Sequence, residues 1–375
     1  MRFIVFGEDW AAHPSSTQHL IKEISQEHEV SWVNSVGMRT PKFSFKDIKR
    51  VFNKFISLFS MRKKSEFLNE FTVYNAKILP WHQFSWVNIL NKQQIKKTIP
   101  LLNTSIDDDP IIYWISVPTA ISMIDIREQD KVIYYCGDDF SGLDGVDYNL
   151  VAPFEKELIN RADIIYVVSD ALKQKMPHNK TFLLRHGVDF KLFNMPANIN
   201  EGLQKQRPTL GFYGSISNWV DLDLLKQLVK ARPEYDLLLI GKSKVDLNEL
   251  LALKNVKHIE AINHNQLPHF SQHWQVALLP FVDNAQIRAC DPLKLKEYLA
   301  SGAPIVSTSF PAVDKYKETV LIANDVQGFI ERVDWAVNLS ISSGLMWRQN
   351  SSNQVKQESW QQKSHYVLNQ LKSVL

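Results

Sequence analysis

Lys294 and Glu297 stand three residues apart in the segment Asp291-Pro292-Leu293-Lys294-Leu295-Lys296-Glu297-Tyr298. Asp291 is a preferred N-cap residue, and Pro292 suits the first helical position, where a missing N–H costs nothing. Gly302 suits the left-handed position after a helix and Pro304 cannot continue one, so the spacing predicts a helix from Pro292 to Ser301. On it Lys294 and Glu297 share one face, while Leu295 and Leu299, four apart, share another that can meet a core. Amides at a helix N-terminus attract phosphate, and a lysine in the first turn adds a full positive charge at the same place. A carboxylate one turn further accepts hydrogen bonds from ribose hydroxyls. Cap, lysine and glutamate together suit a nucleoside diphosphate.

A second set of chemically capable residues lies in the first half. Asp138 and Asp139 directly follow the apolar run Val132-Ile133-Tyr134-Tyr135, at the carboxyl end of a strand, where ligands of open α/β sheets bind. One of them can deprotonate an acceptor hydroxyl or orient it; the alternative is capping of their own loop. His13 lies in the turn after the first strand, Gly7 to Ser16, and can contact an acceptor or act as a base. His186 is a further candidate. Asp107-Asp108-Asp109 has the composition of a cation site but precedes the strand Ile111 to Ile115, and Pro110 makes it a turn. No metal site and no cofactor are expected.

The elements that must position these residues alternate between short β-branched runs and longer helical patterns, which indicates parallel sheets covered by helices. Strands are expected at Arg2 to Phe6, Val30 to Val33, Ile111 to Ile115, Val132 to Tyr135, Ile164 to Val168 and Thr181 to Leu184. After a polar stretch a second series follows at Thr209 to Tyr213, Leu237 to Ile240, Val256 to Ile259, Val276 to Pro280 and Pro304 to Ser307. The expected fold class is α/β, two Rossmann-like doubly wound parallel sheets facing a cleft. The expected domains are 1–193 for acceptor binding, a linker over 194–207, 208–352 for donor binding, and a C-terminal helix, 353–375, able to pack back on the first domain.

The run from Pro292 to Val306 resembles the donor motif of GT-B family-4 glycosyltransferases. Arg185-His186-Gly187-Val188-Asp189 is similar to the Asn-Gly-Val-Asp segment that closes their first domain, and Gly211-Phe212-Tyr213-Gly214-Ser215 to the turn that opens their second. Tyr135-Cys136-Gly137-Asp138-Asp139 resembles the acidic pair of the teichuronic-acid subgroup. The resemblance implies that Lys294 binds the donor diphosphate and Glu297 its ribose, with Gly214 and Ser215 approaching the phosphates through backbone amides. It departs at Ala289, where the family places a second glutamate eight residues before Glu297. Arg288 is the nearest substitute, able to bond phosphate or a sugar carboxylate.

A chain of 375 residues with 45% hydrophobic content suits two cores. A net charge of +3 calls for no nucleic-acid partner. Cys136 and Cys290 make neither a disulfide framework nor a zinc site, and no run of ~18 apolar residues occurs, so a cytoplasmic protein is expected. Residues 45–64 combine Ile48, Phe52, Phe55 and Phe59 at helical spacing with seven basic residues, among them Lys46, Lys49, Arg50 and Lys54. That pattern suits an anionic membrane surface, peripheral on the inner face of the cytoplasmic membrane. The activity implied is transfer of a sugar from a nucleotide-sugar donor to a saccharide acceptor, including a lipid-linked one, in surface-polysaccharide assembly. The alternatives are a nucleotide-sugar epimerase of the same fold and a catalytically silent nucleotide-sugar or glycan binder.

Overall fold

The computed structural model describes residues 1–10, 15–34, 65–67, 71–103, 109–143, 146–203 and 207–374. His13, Asp107, Asp108 and the segment 45–64 lie outside them. The chain forms two compact units, Met1–Arg185 with Lys363–Leu375, and His186–Gln362.

The sheet of the first unit contains β1 (Arg2–Phe6), β2 (Glu29–Val33), β3 (Ser65–Phe67), β4 (Thr72–Tyr74), β5 (Ile111–Ile115), β6 (Lys131–Cys136), β7 (Ile164–Val167) and β8 (Thr181–Leu183). Their order is β3-β4-β2-β1-β5-β6-β7-β8, parallel throughout except where β3 pairs antiparallel with β4. Phe3 to Phe6 and Ile111 to Ile115 are buried along their whole length, as strands covered on both faces require. The strand order reverses between β1 and β5, and loops from their carboxyl ends therefore diverge and leave a crevice. Within the last helix, Trp360–Lys372, the chain re-enters this unit at Lys363, and the Tyr166 hydroxyl donates to Gln370 at 2.9 Å.

The second unit holds β9 (Thr209–Tyr213), β10 (Asp236–Ile240), β11 (Val256–Ile259), β12 (Val276–Leu279), β13 (Ile305–Thr308) and β14 (Val320–Ala323), ordered β11-β10-β9-β12-β13-β14 and parallel throughout. Its reversal lies between β9 and β12. The stretch 194–207, expected as a linker, follows the unit boundary instead of forming it: Phe193 and Leu203 are buried in the core of the second unit. Strands β3, β4 and β14 add to those expected from sequence.

Candidate functional site

Helix Leu293–Ser301 ends on Gly302 in the left-handed conformation, φ 83°, as its sequence predicts. Its start differs. Pro292 occupies the N-cap position, and no side chain caps the first turn. Asp291 is drawn away because Lys296, fully buried, needs a partner: the Asp291 carboxylate accepts from the Lys296 ammonium at 2.8 Å and from the His186 backbone N–H at 2.9 Å. Burial raises the pKa of Asp291, and Lys296 with His186 more than offsets it, holding the carboxyl below its usual range. The role expected at the helix start is thus replaced by a buried ion pair that ties residue 186 to the helix, and the first-turn amides stay uncapped. His186 takes part through its backbone, its carbonyl also accepting from Lys296.

Leu295, Tyr298 and Leu299 are fully buried and seat the helix in the core of the second unit. Lys294, partly buried, reaches the sheet's reversal point, its Nζ 4.6 Å from the centroid of the Phe212 ring in β9 and 5.3 Å from that of Phe281 just beyond β12. Cations over aromatic faces are attracted by the ring quadrupole, which holds the ammonium without satisfying its hydrogen bonds. It makes none among the described residues. Desolvation lowers the Lys294 pKa to about 8, against a smaller opposing effect of Glu297. A deprived ammonium of this kind favours a phosphate ligand.

The residue beneath it is Gly214, at φ 120°, where a Cβ would lie 2.8 Å from the Lys294 Nζ. Gly241, at φ 139° beyond β10, packs so closely that its Cβ would lie 2.1 Å from the Gly214 carbonyl oxygen. Only glycine tolerates both conditions. Next to Gly214 the Ser215 hydroxyl oxygen is enclosed with no hydrogen-bond partner among the described residues, a cost that a ligand oxygen would relieve. Lys242 and Lys244 flank the same point, their backbones pairing with Ile216.

Glu297, one turn after Lys294, is 8% exposed. Its Oε2 accepts from the Tyr213 hydroxyl at 2.7 Å, and its Oε1 lies 2.7 Å from His264 Nε2. Tyr213 and His264 are site residues that the sequence reading missed.

Arg288 has a carboxylate partner of its own. It is exposed and makes a bidentate pair with Asp283, both bonds 2.7 Å, so the fork available for phosphate is occupied by a neighbouring carboxylate. Ala289 is buried.

In the first unit Asp139 and Asp138 have different surroundings. Asp139 accepts from Ser141 Oγ at 2.6 Å and pairs with Lys175, an arrangement that caps its loop and lowers its pKa despite partial burial. The Asp138 side chain is exposed to solvent yet crowded by surrounding protein and by the carboxylates of Glu8 and Asp139, which together push its pKa up to about 7. Glu8, just past β1, accepts from Ser15 Oγ and from Gln18 at 3.3 Å, and burial raises its pKa too. A signal for it was present in Gly7-Glu8-Asp9 directly after the first strand. Among the described residues no three His, Cys, Asp or Glu side chains cluster as a metal site.

Residues 207–338 match the family model described as glycosyl transferases group 1. A curated protein of Bacillus subtilis (strain 168), by name a teichuronic acid biosynthesis glycosyltransferase, TuaH, is 27% identical over 247 residues, 59% of this chain and 62% of its own length. The chain thus aligns with somewhat under two thirds of that relative. Among solved structures, the sucrose-phosphate synthase of Thermosynechococcus elongatus superposes with a TM-score of 0.69 at 12% identity, covering 100% of this chain and 99% of the other. An E. coli trehalose-6-phosphate structure bound with UDP-2-fluoro glucose gives 0.68 at 13% identity with both chains fully covered, 100% each. The fold is therefore GT-B, and the sequence is similar to group 1 glycosyltransferases of the family-4 kind.

Proposed function

We propose that this GT-B chain is a glycosyltransferase that moves a hexose-type sugar from a nucleoside-diphosphate donor to a saccharide, carried on a lipid, in surface-polysaccharide assembly. Lys294 is the observation that carries the reading: a partly buried ammonium without a hydrogen-bond acceptor among the described residues, set over Gly214 at the reversal of a Rossmann-like sheet. The uncapped helix start and the unpartnered Ser215 hydroxyl support the same ligand. The relative solved with UDP-2-fluoro glucose adds a nucleotide sugar bound on this fold.

In the reaction the bond from the anomeric carbon to the diphosphate breaks, and negative charge grows on the leaving oxygen. Lys294 and the first-turn amides meet that charge where it develops, which is worth ~2.7–4 kcal/mol for one well-aimed donor. A metal ion is not required in this scheme. Glu297 holds the ribose hydroxyls. Asp138 takes the proton of the acceptor hydroxyl or orients it, and Asp139 fixes the loop that carries Asp138. Arg288 would meet the donor only by leaving Asp283.

Helix Ser85–Thr98 supports a lipid-borne acceptor and a peripheral position on the cytoplasmic membrane. Phe84, Trp86, Ile89 and Leu90 are exposed, and the Phe84 and Trp86 rings stack with centroids 6.2 Å apart. The same helix carries Lys92, Lys96 and Lys97 and no acidic residue; Lys92 and Lys96 pair with Asp125, and the exposed Lys97 adds a positive charge suited to an anionic bilayer. No described helix is long and apolar enough to span one.

A screen of nucleotide sugars for thermal stabilisation tests the function, since a ligand of the folded state raises apparent stability with its affinity. The expected hit stabilises the wild type and not Lys294→Ala, and loses its sugar to a saccharide acceptor. Epimerised donor formed without acceptor would favour an epimerase, and hits that are bound but never turned over a silent binder. No stabilising nucleotide sugar at all would overturn the site.

A further inference from the structure

His264 stands outside every sequence motif considered above, yet it touches the residue assigned to ribose. It opens a short turn, His264–Gln266, after β11, and its Nε2 lies 2.7 Å from Glu297 Oε1. The edge of the Phe193 ring meets the imidazole, centroids 5.2 Å apart and planes at 67°, and holds it upright. On the other side of Glu297, Tyr213 donates to Oε2 at 2.7 Å, and Tyr213 is itself fixed because its backbone N–H donates to the Tyr298 hydroxyl at 3.0 Å. The carboxylate is therefore gripped from two directions by rigid rings.

We propose that His264 is a proton-linked positioning residue for the donor: its imidazolium holds the Glu297 carboxylate in the orientation that receives the ribose hydroxyls. The inference rests on Glu297 binding ribose, as in the function proposed above. The charged groups that raise the imidazole's pKa are Glu297, in contact, and Asp189, at the start of helix Phe190–Asn194. Burial disfavours the imidazolium, but these two carboxylates more than offset it and raise its pKa above the ordinary value. Charge-assisted bonds are about twice as strong as neutral ones. Loss of the proton leaves a neutral bond and a less firmly held carboxylate.

Lys294 also titrates, so a simple pH profile of nucleotide binding mixes two groups. Inorganic pyrophosphate separates them, because it meets Lys294 but has no ribose. The experiment measures binding of UDP, GDP, ADP and pyrophosphate by calorimetry from pH 6 to 9, in wild type, His264→Ala and His264→Gln.

For whichever nucleotide binds the wild type best, His264→Ala should weaken affinity by roughly 10-fold or more, with pyrophosphate affinity unchanged. His264→Gln should recover most of the loss, since its amide can donate from the same place. In the wild type the ratio of nucleotide to pyrophosphate affinity should fall as pH rises through the raised imidazolium pKa; in His264→Gln it should stay flat. Equal losses for both ligands, a flat wild-type ratio, or no recovery with glutamine would overturn the assignment while leaving the donor site standing. If no nucleotide binds the wild type, the function proposed above falls together with it.

Discussion

The Lys296 ammonium bonds the Asp291 carboxylate at 2.8 Å with the two side chains only 1% and 2% exposed. Such a pair adds little net stability against an apolar replacement, but removing one member strands the other's charge, at a cost of about 3–5 kcal/mol. Asp291→Ala should therefore destabilise the protein by that order in chemical denaturation. Combining it with Lys296→Met should recover only part, because the His186 N–H loses its bond to Asp291 in both variants and the His186 carbonyl loses its bond to Lys296 in the double one. Asp291 has a depressed pKa in the fold, so its contribution is present above the unfolded value of ~3.9 and disappears as pH falls through the folded one. Full recovery in the double variant would mean that residue 186 does not depend on this pair.

Lys294→Met should abolish nucleotide binding and raise the melting temperature. The folded pKa of Lys294, about 8, lies below the unfolded ~10.4, so the strain of keeping it charged is complete below pH 8 and fades between those values. The gain from methionine should accordingly be greatest at pH 7 and absent near pH 11, as scanning calorimetry would register. A lower melting temperature at pH 7 would show that the ammonium is comfortable without a ligand.

Asp138 supplies a prediction on turnover. A base with a pKa of about 7 is protonated in acid, so kcat/KM should climb tenfold per pH unit below that point and level off above it. Asp138→Asn should flatten the profile at a low rate and leave donor affinity intact, while Asp139→Asn should chiefly loosen the loop held by Lys175 and Ser141. Donor affinity lost in parallel with turnover in Asp138→Asn would assign that residue a structural part.

The apolar face of helix Ser85–Thr98 is testable by flotation. Binding to phosphatidylglycerol vesicles, weak or absent with phosphatidylcholine, should fall when Phe84, Trp86 and Ile89 are replaced by serine, with folding unchanged because these side chains are exposed. A dimer that dissociates on the same replacements, without any vesicle binding, would instead make this face a contact between copies.

Much of the fold could be read from sequence because buried parallel strands are continuous apolar runs; Phe3 to Phe6, Ile111 to Ile115 and Val276 to Leu279 carry the signal in every residue. Strands β3 and β4 are three residues long at a sheet edge, too short for a periodicity to develop. β14 was within reach, since Val320-Leu321-Ile322-Ala323 is such a run. At the candidate site Lys294 and Glu297 are legible because helical spacing is local. Their setting is not: Glu297 is held by residues 33 and 84 positions upstream, which only the sheet order brings together. Asp291 shows the limit of a local rule, because a preference for the N-cap gives way when a buried lysine requires a carboxylate. His13 and the basic segment 45–64 lie outside the described residues.

The contact between Gly214 and Gly241 also bears on how this protein can change. With a Cβ at 241 only 2.1 Å from the Gly214 oxygen, main chain meets main chain at this point beneath Lys294, and selection has no side chain in that contact to alter. A new donor preference, whether evolved or engineered, is more readily written at neighbouring side chains such as Ser215 and His264. Two descendants that use different nucleotides should therefore diverge at those positions and still share both glycines.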